Sequence, residues 1–183
     1  MLYKRVSGYY TKEKAETFPQ SQMAGAAQGV LYRMERIASF SVDHTKLKPG
    51  IYRSRVDGDI VTYDLRFVQP NHPPYLSVPA IHTIEHLFAT YARNSAMKEK
   101  IIYFGPMGCR TGFYLLVRDP DEEAVIELIC TIMKQITEFS GPIPGASEKE
   151  CGNYLEHDLR SAQREAAFYY GVIRTWTKEK LQY

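Results

Sequence analysis

The sequence has no long hydrophobic run, little excess charge and few cysteines, and each shortage excludes a class of protein. No window approaches the roughly 18 apolar residues that a membrane span requires, and no apolar stretch near the start resembles a signal peptide. The 23 Lys and Arg nearly balance the 21 Asp and Glu, which leaves a formal charge of +2 and no basic stripe for a nucleic acid. We expect a cytoplasmic protein with neither a membrane nor a nucleic-acid partner.

The three cysteines are an odd number, which does not suit a disulfide framework, so we expect reduced thiols. Cys130 stands among apolar residues in "ELICTIM" and is predicted to lie in the core, because free cysteine behaves as a small hydrophobe. Cys151 stands in the polar loop "EKECGN", and Cys109 in the glycine-rich "GPMGCRTG". The last two are therefore candidates for a catalytic or metal-binding thiol.

Length and composition favour one globular domain with a short appendage. The chain has 183 residues, 44% of them hydrophobic, which is ordinary for a single core. Residues 1–33 show no sustained apolar period and are expected to form a disordered N-terminal extension, followed by one domain over 34–183. Alternation predicts strands and three- to four-residue spacing predicts helices. The predicted strands are 36–42, 59–68, 100–105 and 112–118, and the predicted helices are 80–98, 119–139 and 157–176.

The predicted strands and helices interleave without βαβ regularity. We therefore predict an α+β fold with a mostly antiparallel sheet and helices packed on it. Ser77 is placed to cap the first helix, and Pro79 suits its first turn.

The stretch "HTIEH" at 82–86 carries the first candidate chemistry. Positions i and i+4 of a helix differ by about 40° around the axis, so His82 and His86 project from one face and can bind the same ion. Glu85 lies beside that face, where it can act as a base. A histidine pair also occurs on helices that bind no metal, and H-x-x-E-H is the inverted metallopeptidase motif as well. The motif alone leaves these interpretations open.

Two cysteines can complete such a site. A thiolate from Cys151 is a suitable third ligand, and three protein ligands leave the fourth tetrahedral position open for chemistry. The glycines at 105, 108 and 112 let the loop around Cys109 turn sharply and approach a ligand closely. A neighbouring cation lowers the pKa of a thiol, so that it can exchange a proton near neutral pH. The alternative for Cys109 is a small residue that the turn requires.

Five motifs in this order and spacing closely resemble the S-ribosylhomocysteine lyase (LuxS) family, from Met34 to the last helix. They are "SFSVDHT" (39–45), "DLRF" (64–67), "HTIEHLFATYAR" (82–93), "GPMGCRTGFY" (105–114) and "ECGN" (150–153). The resemblance implies a LuxS/metallohydrolase-like fold and cleavage of S-ribosylhomocysteine to homocysteine and 4,5-dihydroxy-2,3-pentanedione, the autoinducer-2 precursor. It further implies a homodimer with its active sites at the subunit interface. Each subunit would hold one Fe²⁺, for which Zn²⁺ or Co²⁺ can substitute.

The resemblance also implies roles for individual residues. The metal ligands would be His82, His86 and Cys151. Glu85 and Cys109 would be the acid/base pair. The implied substrate-binding residues are Ser39, His44, Arg66 and Arg93.

The chain departs from the family pattern at one place. Family members usually have Asp-x-Ser before "PMGC", whereas this chain has Tyr103 and Gly105 there. In the family the Asp helps to hold the amino-acid end of the substrate, so the departure bears on recognition of that end and not on the metal ligands. Two rival readings follow from the sequence: a metal-binding homologue with impaired catalysis, and an inverzincin-type peptidase.

Overall fold

The computed structural model describes residues 3–6, 9–12 and 40–183, in a chain that divides into compact units at 1–37 and 38–183. In the first unit, strands β1 (Tyr3–Val6) and β2 (Tyr9–Lys12) pair in antiparallel fashion. The described residues of this unit, 3–6 and 9–12, are therefore all in β-strands. The boundary near residue 34 and the disorder of residues 1–33 stay predictions.

The second unit contains a four-stranded antiparallel sheet in the order β3-β4-β6-β5. Its strands are β3 (Gly50–Asp57), β4 (Ile60–Arg66), β5 (Ile101–Pro106) and β6 (Gly112–Arg118). The turn between β3 and β4 uses Gly58 at φ +60°, a left-handed conformation that glycine adopts at little cost.

Three of the four predicted strands correspond to β4, β5 and β6, and these predictions are confirmed. Strand β3 was not predicted, because Arg53 and Arg55 interrupt its apolar alternation. The predicted strand 36–42 is wrong over 40–42, which form turns, and its remainder lies outside the described residues. The carboxylate of Asp43 accepts hydrogen bonds from the backbone N–H and the hydroxyl of Thr45, and this local bonding favours a turn over a strand.

The second unit has three helices: α1 (Val78–Arg93), α2 (Glu122–Glu138) and α3 (Leu159–Ile173). Helices α1 and α3 contact the sheet at β5 and β3, and α2 packs on both of these helices. Each begins at a side chain that accepts a backbone N–H, as the Ser77 hydroxyl does from Ala80. Helix α1 ends five residues before the predicted 98, because Asn94 bonds back to the carbonyl of Thr90 and closes the helix. Among the described residues, no helix is long and apolar enough to cross a membrane.

The core lies between the sheet and the helices. Buried side chains from one sheet face meet apolar side chains of all three helices; they include Tyr63, Leu65, Phe113, Leu87, Ile129 and Tyr169. The other face of the sheet carries polar groups, among them Asp64 and Arg66 at the C-terminal end of β4. The predicted α+β fold with a mostly antiparallel sheet and packed helices is confirmed.

Candidate metal centre

Helix α1 presents His82 and His86 side by side, with ring centroids 4.7 Å apart and planes at 85°. Nδ1 of each ring is hydrogen-bonded to a backbone carbonyl oxygen. The distance is 3.0 Å from His82 to Glu156 and 2.8 Å from His86 to Pro144. A carbonyl oxygen can only accept, so Nδ1 carries the proton in both rings. In both rings Nε2 is then unprotonated, with a lone pair that can bind a metal. A hydrogen bond from Nδ1 to a carbonyl is the usual way in which proteins orient a liganding histidine.

The loop that supplies the carbonyl of Pro144 depends on a glycine. Gly145 has φ +72°, and a Cβ added to it would lie 3.2 Å from Nδ1 of His86. A larger residue would be strained at this φ and would crowd the imidazole ring. Gly145 therefore lets the loop approach the histidine closely.

Cys151 comes to the same place from the loop before α3. Its Sγ lies 3.3 Å from Nε2 of His82, and the backbone N–H of Asn153 points at the sulfur from 3.4 Å. Two ligands with typical zinc bond lengths and tetrahedral angles would lie about 3.6 Å apart. The sulfur and the nitrogen are thus close to the spacing that one shared ion requires.

A fourth side chain, His157, belongs to this group, and sequence reasoning missed it. One ligand atom from each of His82, His86, Cys151 and His157 lies within 4.8 Å of the others. His157 precedes α3, whereas the sequence placed it as the first residue of the last predicted helix. Its position six residues after Cys151 was the one available signal, since its approach to α1 depends on how the loop folds back.

The donor set fits a divalent ion. Nε2 of His157 is buried and has no hydrogen-bond partner among the residues that the structure describes. Burial, followed by the nearby His82 and His86, lowers the pKa of His157 below its usual value, which favours the neutral ring. A cation would satisfy this buried nitrogen together with the neighbouring nitrogen and sulfur donors. Nitrogen and sulfur donors together suit several first-row metals.

Glu85 lies beside this group. It is half-buried and lines, with His82, His86 and Cys151, an open cavity of about 520 Å³. Its side chain thus borders the same open cavity as the three predicted metal ligands.

Cys109 lines a second cavity, of about 570 Å³, over the opposite sheet face. Its Sγ lies 3.0 Å from Oγ1 of Thr111, which accepts a hydrogen bond from Arg66 at 2.5 Å. The guanidinium can only donate, so the proton of the Thr111 hydroxyl is free to point at the sulfur. The thiol of Cys109 is exposed, and Thr111 connects it to the guanidinium of Arg66.

Arg66 is fixed by a buried ion pair. Nε and Nη2 contact the two oxygens of Asp64 at 3.1 and 2.5 Å, and both side chains are 2% exposed. The hydroxyl of Tyr183 also donates to Asp64, at 2.9 Å. The orientation of Arg66 toward the Cys109 cavity is thus set by the fold itself.

Comparison with known proteins agrees with this arrangement. The S-ribosylhomocysteinase (LuxS) family model matches residues 37–180. The chain belongs to this family. It is 48% identical over 156 residues to the S-ribosylhomocysteine lyase of Borreliella burgdorferi, an alignment that covers 82% of this chain and 99% of the relative. The lyases of Phocaeicola vulgatus, 47% identical over 157 residues, and Clostridium acetobutylicum, 43% identical over 156, align over 82% of this chain and 98% and 99% of their own lengths.

Membership in the LuxS family confirms the resemblance that the five motifs indicated. The four predicted substrate-binding residues are placed less uniformly than the metal ligands. His44 and Arg66 line the Cys109 cavity. Arg93 lies at the exposed end of α1, with Nη2 3.4 Å from the carbonyl of Ile102, and Ser39 lies outside the described residues.

Tyr103 and Gly105, the two residues at which the sequence suggested a departure from the LuxS pattern, pack against each other. A Cβ added to Gly105 would lie 2.0 Å from the hydroxyl oxygen of Tyr103 and 2.4 Å from the adjacent ring carbon. The phenol of Tyr103 therefore covers Gly105 and occupies the space of a side chain there. Tyr103 and Gly105 form one packing unit, on the strand that also carries Pro106 of the Cys109 cavity.

Proposed function

We propose that this protein is a metal-dependent carbon–sulfur lyase that cleaves S-ribosylhomocysteine to homocysteine and 4,5-dihydroxy-2,3-pentanedione. The observation that carries the proposal is the convergence of His82, His86 and Cys151 in a chain of the LuxS family. Three ligands leave a tetrahedral ion one open position, as catalytic sites do. The products would be recycled homocysteine and the precursor of a quorum-sensing signal.

The proposed cofactor is one divalent ion per subunit, Fe²⁺ in the natural enzyme, with Zn²⁺ or Co²⁺ as substitutes. His82, His86 and Cys151 would hold it, with their Nε2 and Sγ atoms already facing one another. When bound, such an ion acts as a Lewis acid toward carbonyl and hydroxyl oxygens. This property suits a substrate that is a sugar with adjacent oxygens.

Glu85 and Cys109 are the proposed proton carriers. The hydrogen on C4, whose loss would expel the sulfur from C5, is not acidic while the sugar carbonyl is at C1, so the carbonyl must first move to C2 and then to C3. Each move removes a proton from a carbon that bears a hydroxyl and returns a proton to the former carbonyl carbon. The half-buried carboxylate of Glu85 and the exposed thiol of Cys109 are suited to this exchange.

Cleavage is the last proposed step. With the ketone at C3, the proton on C4 becomes removable, and its C–H electrons form a C4=C5 double bond as the C5–S bond breaks. The resulting C4 enol then takes up a proton on C5 and loses its O–H proton, which gives the second ketone of the product. Homocysteine leaves as a thiolate and takes up a proton. The step needs no oxidant or reductant, and it requires the base to reach the carbon next to the ketone.

A homodimer is part of the proposal, and the separation of the two cavities supports it. The Glu85 cavity and the Cys109 cavity have no described lining residue in common. One substrate molecule has to meet the ion, Glu85 and Cys109 together. If the Cys109 face of one copy covers the metal face of another, each of two equivalent sites is complete.

Substrate recognition is proposed to involve Ser39, His44, Arg66 and Arg93. Among these, Arg66 is immobilised by Asp64 and can act as a fixed positive group at the base of the Cys109 cavity. Arg93 is exposed, and its guanidinium suits the carboxylate of the homocysteine end. His44 is half-buried in the same cavity as Cys109 and offers a ring nitrogen to sugar hydroxyls.

The test is to incubate the purified, metal-loaded protein with S-ribosylhomocysteine and to measure free thiol together with the diketone. The proposal predicts both products in equal amounts. Release of neither would favour the impaired homologue, and cleavage of a control peptide would favour a peptidase. The same assay after treatment with a chelator shows whether the activity depends on the ion.

A further inference from the structure

His157 stands in direct contact with both candidate ligand histidines. Its ring stacks on that of His82, with centroids 4.0 Å apart and planes at 22°, and meets the edge of His86 with centroids at 4.8 Å. One of its ring nitrogens lies within 4.8 Å of the ligand atoms of His82, His86 and Cys151. Neither the proposed proton transfers nor the proposed ligand set makes use of it.

The hydrogen bonds of Thr83 decide which nitrogen of His157 carries its proton. The Thr83 hydroxyl donates its single proton to the carbonyl of Pro79 at 2.8 Å. Toward Nδ1 of His157, 3.3 Å away, it can then only accept. It also accepts the backbone N–H of Asp158 at 3.0 Å, which uses its second lone pair. In the neutral ring Nδ1 therefore carries the hydrogen, and the buried Nε2 has a bare lone pair.

The ring geometry argues against His157 as a ligand equivalent to the other two. A liganding imidazole holds its ion close to the plane of the ring. The rings of His82 and His157 are nearly parallel, with centroids 4.0 Å apart, so their nitrogen lone pairs do not converge on one point as those of the perpendicular rings of His82 and His86 can. His157 would thus not serve as a fourth ligand, and the fourth position of a tetrahedral ion would stay open for a substrate.

We propose that His157 is a positioning residue of the metal centre: it braces the rings of His82 and His86 and places a bare nitrogen lone pair beside the ion, which increases the affinity for divalent cations. Thr83 acts through it by fixing the tautomer. The inference rests on the proposed metal-dependent function. Buried partners of metal ligands typically change metal affinity by about 10–100-fold when they are replaced.

The experiment measures Zn²⁺ affinity of the full chain by competition with a chromophoric chelator. His157→Phe keeps an aromatic ring of similar size for stacking and removes the lone pair, so we expect affinity to fall by about 10–100-fold. His72→Phe is the matched control, because His72 is bonded to Pro70 and is not a member of the metal group. It should bind Zn²⁺ as the parent does.

A second pair of variants separates positioning from general damage to the fold. Thr83→Val removes the acceptor for Nδ1 and should weaken Zn²⁺ binding, whereas Thr83→Ser keeps the hydroxyl and should restore it. Thermal unfolding of the metal-free variants reports any loss of folding on its own.

Each outcome is decisive. If His157→Phe binds Zn²⁺ within twofold of the parent, the role of the lone pair is refuted. If His157→Phe does not fold, the Thr83 pair decides, and equal affinities for valine and serine refute the inference. A parent protein that binds no Zn²⁺ would instead refute the proposed metal-dependent function.

Discussion

Replacing Asp64 by asparagine should destabilise the fold far more than a change of one atom suggests. The carboxylate receives Nε and Nη2 of Arg66 and the hydroxyl of Tyr183 on its two oxygens. An asparagine side chain has a single acceptor oxygen, so its NH₂ group must face at least one of these donors. The guanidinium, 2% exposed, is then left without a compensating charge.

The structure sets the expected magnitude. Breaking a buried ion pair by removing one partner costs about 3–5 kcal/mol, because a charge remains in a place that water does not reach. The matched control is Asp59→Asn, since Asp59 pairs with Arg118 at 3.0 Å but the two side chains are 53% and 50% exposed. An exposed pair contributes about 0–1 kcal/mol.

Urea unfolding at a single protein concentration measures both variants, with the concentration fixed because the proposed dimer would add to stability. We expect Asp64→Asn to lose several kcal/mol and Asp59→Asn less than about 1 kcal/mol. The double variant Asp64→Leu, Arg66→Met should recover part of the loss, since it leaves no buried charge. Equal losses in Asp64→Asn and Asp59→Asn would refute the reasoning.

Three further predictions concern the site. Cys151→Ala should lose bound metal on dialysis, whereas Cys109→Ala should keep it by elemental analysis and release no thiol from substrate; equal metal contents would contradict the ligand assignment. Iodoacetamide at pH 8 should label Cys109 and spare Cys130, because burial raises the pKa of Cys130 to about 11 and keeps the thiol protonated; peptide mass mapping checks the order, and labelling of Cys130 first would contradict it. Gly105→Ser alone should raise KM, since the new Cβ meets the phenol of Tyr103, and adding Tyr103→Asp should bring KM to or below the parent value; independent effects of the two changes would contradict the coupling.

Much of the fold could be predicted from the sequence, because local signals and packing agree there. Alternation in β4 and β6 and the spacing of apolar residues in α2 point to the elements that form. Strand β3 could not be found in this way, since its pairing with β4 overrides two arginines in its middle. The end of α1 was missed because the side chain of Asn94 competes for the carbonyl of Thr90.

The candidate metal centre likewise contains residues that could be predicted from the sequence and one that could not. His82 and His86 share a face by helix geometry alone, so their convergence was predictable. Cys151 could be selected by its polar loop, although its approach to the pair required the fold. His157 could not be selected, because its position depends on a loop that folds back onto α1. There the hydroxyl oxygen of Thr83 accepts hydrogen bonds from the backbone N–H of Asp158 and from Nδ1 of His157.

The most direct test of the account compares the parent with Glu85→Gln, both loaded with the same ion, for homocysteine released from S-ribosylhomocysteine. The substitution keeps the size of a half-buried side chain and removes its ability to take a proton. The account predicts one homocysteine per diketone from the parent, no product from Glu85→Gln, and equal metal content in both. Full activity in Glu85→Gln, or a parent that releases no thiol, would contradict it.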